Sequence, residues 1–458
     1  MILPALIGET KRPMKSKKPT LTYTQTIVLG FLFLILGGAV LLSLPISSRA
    51  GKWTPFADAL FTATSATCVT GLVLYDTYTH WSTFGQVVIM FLIQIGGVGF
   101  MTVITVFSIF LGRKMGLHER QLLMQSSGML KLTGIVGVIK RIALMSLAIQ
   151  AVGAVLLATR FVPQMGLRGI YFAIFHAVAS FCQAGFELMG RYQPLSSLTL
   201  YADDPVVILT VILLVVIGGV GFIVWDDIWT HKLRLAKYTL HSKIALTTTA
   251  ALVVLGWVLF YLFEMGGLFA EFSRSERAML SLFQSITPRT AGFNIADTAQ
   301  LSGASVLLTM IFMIIGGSSG STSGGVKVTT FTILVINAIN SIRKTNNLVL
   351  FKRKISDETI KNASALICIY LFVIVLATLI LAAVEPFGMK EALFESISAV
   401  GTVGLSLGVT QSLSTTGKIV ITLLMFAGRV GLLTLLFALV KKHPNPPIER
   451  PVEKVLIG

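Results

Sequence analysis

Few side chains in this 458-residue chain could carry covalent chemistry. No paired carboxylates inside the apolar runs, no His–Cys ligand spacing and no nucleophile–base pair emerge from the sequence. The three cysteines, Cys68, Cys182 and Cys368, have neither metal nor disulfide spacing. What the chain offers instead is backbone. Four short segments, ALFTATSATCVTGL, AIFHAVASFCQAGF, LSLFQSITPRTAGF and ALFESISAVGTVGL, each end in a glycine followed by Leu or Phe: Gly71, Gly185, Gly292 and Gly404. A phenylalanine precedes the glycine by ten residues in three copies (Phe61, Phe175, Phe394) and by nine in the third (Phe283). Glycine reaches positive φ without steric cost and lets backbones approach closely. The carbonyls before it can then turn to one side and replace the hydration shell of a cation. The candidate lining is Cys68, Val69, Thr70 and Gly71; Cys182, Gln183, Ala184 and Gly185; Arg289, Thr290, Ala291 and Gly292; and Gly401, Thr402, Val403 and Gly404. Ligation by backbone explains why these side chains differ among the copies.

Such carbonyls need elements that bring four segments to one axis, and the composition names the solvent in which those elements fold. The chain is 54% hydrophobic and 12% charged, against roughly a quarter charged in soluble domains. Uncharged stretches at 87–111, 142–159, 206–225 and 244–263 reach the ~20 residues that cross a bilayer as helix. A first run at 21–44 is too long for a signal-peptide core and is read as retained. The short segments, at 10 to 13 residues each, cannot cross a hydrocarbon core of ~30 Å. They must enter and return, which backbone at membrane depth tolerates only inside protein or beside water. A short helix entering from outside would aim its negative carbonyl end at such a cavity and favour a cation there.

The repeating unit is therefore long helix, short segment, glycine, long helix. The predicted fold is an all-α polytopic membrane protein of four M1-P-M2 repeats, eight transmembrane helices and four re-entrant pore helices, around a pseudo-fourfold pore. The boundaries read from the sequence are a cytoplasmic N-terminus at 1–20, repeats at 21–111, 142–229, 230–342 and 343–440, a cytoplasmic linker at 112–141 and a cytoplasmic tail at 441–458. The formal charge of +17 follows the same topology. Segments 1–20, 112–141, 226–243, 343–361 and 441–458 hold 25 Lys and Arg against 8 Asp and Glu, and the opposite side holds 10 against 12. This is the positive-inside pattern with both termini cytoplasmic, and it makes a nucleic-acid partner unnecessary. It also opposes inverted repeats of the alternating-access kind, which would alternate the charge bias between copies.

A second shared element follows each glycine: IGGVGF at 95–100, IGGVGF at 217–222, IGGSSG at 315–320 and, more loosely, FAGRVG at 426–431. In the third copy it expands into Gly316, Gly317, Ser318, Ser319, Gly320, Ser321, Thr322, Ser323, Gly324 and Gly325. Each glycine costs up to ~1 kcal/mol relative to alanine in a helix, so the run breaks there. A break at mid-membrane needs a water-lined cavity, and this one is expected to form a mobile gate beneath the carbonyls. A permissive kink at a small-residue interface needs fewer small residues. A phosphate-binding loop fails on the letters, because Val326 separates Gly325 from Lys327 and no Ser or Thr follows that lysine. Arg429, inside an apolar run, is read as standing beside the pore, as an electrostatic barrier or as a donor to the carbonyls of the gate. Lys327 is counted with the gate, its ammonium snorkelling toward the cytoplasm. His176 is read as a packed, hydrogen-bonded residue. Arg289 is expected to point away from the cation path, and Asp203, Asp204 and Glu187 to be loop charges.

These residues resemble the channel-like potassium transporter superfamily that includes the bacterial Trk and Ktr systems and the plant HKT transporters. The resemblance covers nearly the whole chain, and SITPRTAGFN, IGGSSGSTSGGVKVTTF and the arginine of FAGRVGLLTL are most similar to the Ktr membrane subunits. It implies K+ uptake through a channel-like pore in a bacterial-type plasma membrane. It implies no cofactor in this chain, K+ as the transported ion and Na+ as a possible activator. It further implies a homodimer in which each protomer has its own pore, seated on a cytoplasmic KtrA-like ring that binds nucleotide (ATP or ADP). In HKT relatives a serine in place of the first glycine goes with Na+ preference, so Gly71 implies K+. The alternative is a Na+/K+ symporter or a Na+-permeable transporter of the HKT kind.

Overall fold

The computed structural model describes residues 22–99, 134–232, 234–344 and 348–439, with scattered positions between 102 and 124 and at 451 and 453. The N-terminal segment 1–20, most of the 112–141 linker and most of the 441–458 tail lie outside the described residues. The chain is helical almost throughout. The first repeat comprises α1 (Tyr23–Ser43), α2 (Phe56–Thr67) and α3 (Thr83–Val98). The second comprises α4 (Ile135–Met165), α5 (Arg168–Cys182), α6 (Pro205–Val220) and α7 (Phe222–His231). The third comprises α8 (Leu240–Glu264), α9 (Arg274–Ile286), α10 (Gly303–Ile314) and α11 (Val328–Ile342). The fourth comprises α12 (Asp357–Val384), α13 (Met389–Gly401), α14 (Thr415–Val430) and α15 (Leu432–Leu439). A small antiparallel hairpin, Val349–Leu350 with Arg353–Lys354, joins the last two repeats.

Each repeat thus has a leading helix, a short pore helix and a trailing helix. The leading helices α1, α4, α8 and α12 have 21, 31, 25 and 28 residues, and all four are long and apolar enough to cross a membrane. The trailing helices are broken. From the sequence only the third is expected to break, yet all four do, at one glycine of the shared motif. Gly99, Gly221 and Gly431 have φ of 93°, 102° and 91°, a region closed to residues with a Cβ, and at Gly221 the axis turns by 91° between α6 and α7. In the third repeat the break widens to the stretch between α10 and α11.

Polar caps fix where the trailing helices begin. Ser82, Asp204, Ser302 and Ser414 accept from the N–H groups of Gly85, Val206, Ser305 and Gly417 at 3.2, 2.9, 3.3 and 3.2 Å, satisfying donors that a helix start leaves open. In repeats three and four a carboxylate at the end of the leading helix holds the same corner. Glu264 accepts from the Ser302 N–H at 2.9 Å, and Glu385 from the Ser414 N–H at 3.1 Å.

The repeats close on themselves. Each trailing helix packs against the pore helix of the next repeat: α3 on α5, α6 on α9, α10 on α13, and α14 back on α2. Phe61, Phe175 and Phe394 are wholly buried in this ring and Phe283 nearly so. Large apolar side chains of the leading helices, Phe33, Val155 and Phe372 among them, are instead exposed on the periphery. Between lipid and protein there is no water to expel, so close packing rather than apolar burial holds such helices together. The glycines supply that closeness. An ideal Cβ on Gly96, Gly218 or Gly428 would stand 1.9, 2.1 or 2.1 Å from the carbonyl oxygen of Thr67, Phe181 or Val400. In repeats one, two and four the trailing helix therefore lies directly on the carbonyl end of its own pore helix.

Candidate functional site

The four segment-ending glycines meet. A Cβ built on Gly71 would stand 2.5 Å from the Ala184 oxygen, and one on Gly185 would stand 3.1 Å from the Gly292 Cα. A Cβ on Gly292 would stand 2.4 Å from the Val403 oxygen, and one on Gly404 would stand 2.2 Å from the Thr70 oxygen. The chain of neighbours returns to its start, so Gly71, Gly185, Gly292 and Gly404 form a closed ring that no side chain can enter.

The backbone leading to the ring has the same shape in all four copies. The glycines have φ of 92°, 67°, 74° and 92°, and the residues two places earlier are also left-handed: Val69 at 57°, Gln183 at 62°, Thr290 at 71° and Thr402 at 52°. Left-handed backbone costs of order 1–3 kcal/mol in a residue other than glycine and persists where its surroundings dictate it. Sequence reading places these residues in the lining but misses their conformation, because nothing in the letters Val, Gln, Thr and Thr signals positive φ. Their only sign is a common distance from the glycine.

The N–H groups of the segments turn outward. Thr70, Ala184 and Val403 each donate at 2.8 Å to the carbonyls of Ser65, Ala179 and Ser398, and Ala291 donates to that of Thr287 at 3.0 Å. The ring glycines Gly71 and Gly404 donate to the hydroxyls of Ser65 and Ser398 at 3.1 and 3.2 Å. Among the described residues no protein donor reaches a carbonyl of the sixteen lining residues. Backbone groups at this depth need partners, and a dehydrated cation on the axis would provide them. Ser65 and Ser398 were also legible only by alignment, both lying six residues before their glycine.

Above the ring lies a cavity of about 190 Å³, lined by the four glycines together with Glu187, Asn294, Asp297 and Ser406. Glu187 is a buried loop anchor whose carboxylate accepts from the Met189 N–H. Asp204 caps α6 and pairs with Arg160 at 3.3 Å, while Asp203 is exposed. Behind the ring, His176 is fully buried, its Nδ1 2.7 Å from the Phe172 carbonyl and its Nε2 3.4 Å from the Leu188 N–H. Arg289 turns away toward α8, where it donates to the Thr249 hydroxyl at 3.4 Å.

On the other side of the ring, the glycine–serine stretch of the third trailing helix is an ordered loop. Its neck closes where Ile315 and Val326 pair, with the Gly316 N–H donating to Val326 at 2.9 Å and the Val326 N–H to Ile314 at 3.2 Å. The loop leans on the break in repeat two: the N–H groups of Ser318 and Thr322 donate to Gly219 and Gly218 at 2.9 and 3.3 Å, and the Phe222 N–H donates to Gly320 at 2.7 Å. Its far end reaches repeat four, where a Cβ on Gly324 would stand 2.0 Å from the Thr402 hydroxyl. Ser319 and Ser321 lie on the same turn, Ser321 donating to the Ser318 carbonyl at 2.6 Å, and Gly325, at φ 67°, leads back to the neck. The loop thus lies against the base of the second and fourth segments.

Two cations hold it. Arg429 occupies the place in its motif that Gly97 and Gly219 occupy in theirs. Its guanidinium donates to the Thr322 carbonyl in the loop and to the Gly96 and Gly97 carbonyls in repeat one, the last at 3.1 Å. Those carbonyls are the ones a broken helix leaves without intrahelical partners. Lys327 departs from the snorkelling expected of it. Its ammonium turns back into the loop and donates to the Ser323 and Gly324 carbonyls at 2.7 and 3.1 Å, acceptors that lie four and three residues before it in the chain.

Comparison with known proteins agrees with this architecture. The family model described as "TrkH: Cation transport protein" matches residues 9–450. The chain is 41% identical to the potassium/sodium uptake protein NtpJ of Enterococcus hirae, covering 97% of this chain and 99% of that protein. It is 38% identical to the Ktr system potassium uptake protein B of Bacillus subtilis, covering 93% of this chain and 94% of the relative. Among solved structures, the potassium transporter TrkH from Vibrio parahaemolyticus superposes with a TM-score of 0.73 at 20% identity, covering 94% of this chain and 87% of that one, a likeness of fold. Spanning helices, fourfold repeats and a family match over almost the whole length lead to one assignment: the chain belongs to the TrkH family of cation transport proteins and is a polytopic membrane protein of the Trk/Ktr/HKT superfamily.

Proposed function

We propose that this chain takes up K+ through a channel-like pore whose selectivity filter is the four-glycine ring with the carbonyls of residues 68–71, 182–185, 289–292 and 401–404, and whose gate is the loop 316–325. The observation that carries the reading is the ring itself. Four segments present carbonyls while their N–H groups are bonded elsewhere, which is the arrangement that replaces an ion's hydration shell. The loop across the base blocks the path beneath it, with Arg429 and Lys327 as its latches. The charge bias of the loops supports a plasma-membrane orientation with the cavity above the ring outside and both termini inside. The two uptake relatives support K+ as the ion. The name of the Bacillus relative, which speaks of a system, favours a regulatory partner, and a cytoplasmic nucleotide-binding ring and a homodimer are what the superfamily resemblance implies.

A second reading, Na+ permeation or Na+ coupling, is favoured by the name of the Enterococcus relative, a potassium/sodium uptake protein. Flux in proteoliposomes containing the full chain, driven by a K+ gradient and challenged with Na+, Rb+ and Cs+, separates the two. K+ and Rb+ passing over Na+, with that preference lost in Gly292→Ser, is the expected result. Equal Na+ permeation in the unaltered chain would overturn the K+ reading.

A further inference from the structure

In a filter built from backbone, side chains of the lining residues are free to do something else, and one of them does. Of the four left-handed residues, Val69, Gln183, Thr290 and Thr402, Gln183 carries an amide whose bonds reach a trailing helix, another filter segment and the gate loop. It is buried to 2% exposure. Its Nε2 donates to the Val215 carbonyl in α6 at 2.7 Å. Its Oε1 accepts from the Thr290 hydroxyl at 2.8 Å and from the Ser323 hydroxyl of the gate loop. A carbonyl can only accept, so the amide nitrogen must face Val215 and the oxygen must face the two hydroxyls. The space is made for it: a Cβ on Gly219 would stand 2.6 Å from that Nε2, and a Cβ on Gly317 would stand 2.3 Å from the Ser323 hydroxyl oxygen.

We infer that the Gln183 side chain is a strut that couples the gate loop to the geometry of the filter, a role that rests on the filter and gate reading above. One amide oxygen joins a filter residue of repeat three, Thr290, to a loop residue, Ser323. Thr290 is left-handed backbone, and Ser323 is a buried loop residue whose carbonyl also accepts from Lys327. When the loop leaves, Ser323 goes with it, and Oε1 keeps Thr290 alone. The base of the filter therefore takes one hydrogen-bonding state with the loop seated and another with it displaced. Gln183 is in this sense a positioning residue, acting through its neighbours rather than on the ion by its side chain.

The test is the K+/Na+ permeability ratio, measured in proteoliposomes of the full chain for Ser323→Ala, Thr290→Val, the double variant and Gln183→Leu. The expected result is that Ser323→Ala, although outside the filter, lowers the ratio by roughly two- to tenfold, the factor one hydrogen bond carries. Thr290→Val is expected to do the same, and the double variant to be no worse than either, because both act through one oxygen. A change of flux with an unchanged ratio in Ser323→Ala would overturn the strut, as would independent, multiplying effects of the two substitutions. Should Gln183→Leu fail to fold, the two hydroxyl variants and their combination still decide. Gly292→Ser measured alongside keeps the outcomes apart: if it leaves the ratio intact, the filter reading itself has failed, whereas a lost ratio there with an unmoved ratio in Ser323→Ala removes the strut alone.

Discussion

The two sides of the glycine ring are built on opposite plans. Above and within the ring, four segments repeat one another to the level of backbone dihedrals, φ between 67° and 92° at the glycines and between 52° and 71° two residues earlier. Below it, symmetry is abandoned. One trailing helix opens into a loop of ten small residues, and in another an arginine takes the place that its counterparts give to glycine. Under the proposed function the difference follows from the tasks. An ion stripped of water needs ligands on all sides, which four equivalent segments supply. Closing a path needs one obstruction, and equivalent copies would only crowd the axis.

The comparison can be broken most severely in the ring. Gly404→Ala puts a methyl within 2.2 Å of the Thr70 oxygen in a backbone that resists a Cβ, so K+-selective flux is expected to vanish while the purified protein keeps its helical circular dichroism. Retained selectivity would mean that the glycines are scaffold only. Next in size is deletion of 318–323, which removes the obstruction and is expected to raise K+ flux while leaving the K+/Na+ order in place; an unchanged or lower rate in folded protein would deny the loop its gating role. Arg429→Ala should act in the same direction but less. Charge-assisted hydrogen bonds contribute about 1.5–3 kcal/mol each, so losing those to Thr322 and Gly96 is expected to increase flux roughly tenfold or more. A variant that fails to fold would make the arginine an anchor instead. Smallest is Ser414→Ala at the start of α14, which should lower stability by about 1 kcal/mol, read as a modest fall in thermal midpoint with selectivity unmoved. A shift in selectivity from that remote cap would show that the symmetric and asymmetric halves are not separable.

Much of the symmetric side is legible in the letters. A glycine nine or ten residues after a phenylalanine marks each segment, and Phe61, Phe175, Phe283 and Phe394 are all buried. The four caps, Ser82, Asp204, Ser302 and Ser414, stand where the apolar runs begin, yet sequence reading took Asp204 for a loop charge. The asymmetric side reads less well. The break in α6 and α7 at Gly221 looks like any glycine in an apolar run, and only its φ of 102° distinguishes it. Lys327 carries nothing in its neighbourhood to say that its ammonium will turn into the loop. Gln183 could be placed beside the ring by alignment, but its partners Thr290 and Ser323 lie 107 and 140 residues away.

Sequence by itself determined the solvent, the repeat and the backbone nature of the site. Those depend on composition, on the length needed to cross a bilayer and on glycine's freedom at particular positions, all of which are local properties. Tertiary structure alone decided that the four glycines form one closed ring, that every trailing helix breaks, and that an arginine and a glutamine tie the loop beneath the ring to other repeats. The ring and these ties are contacts between residues far apart in the chain. They exist because each trailing helix packs on the next repeat's pore helix, and a hydrogen bond between distant residues leaves no periodicity for a sequence to display.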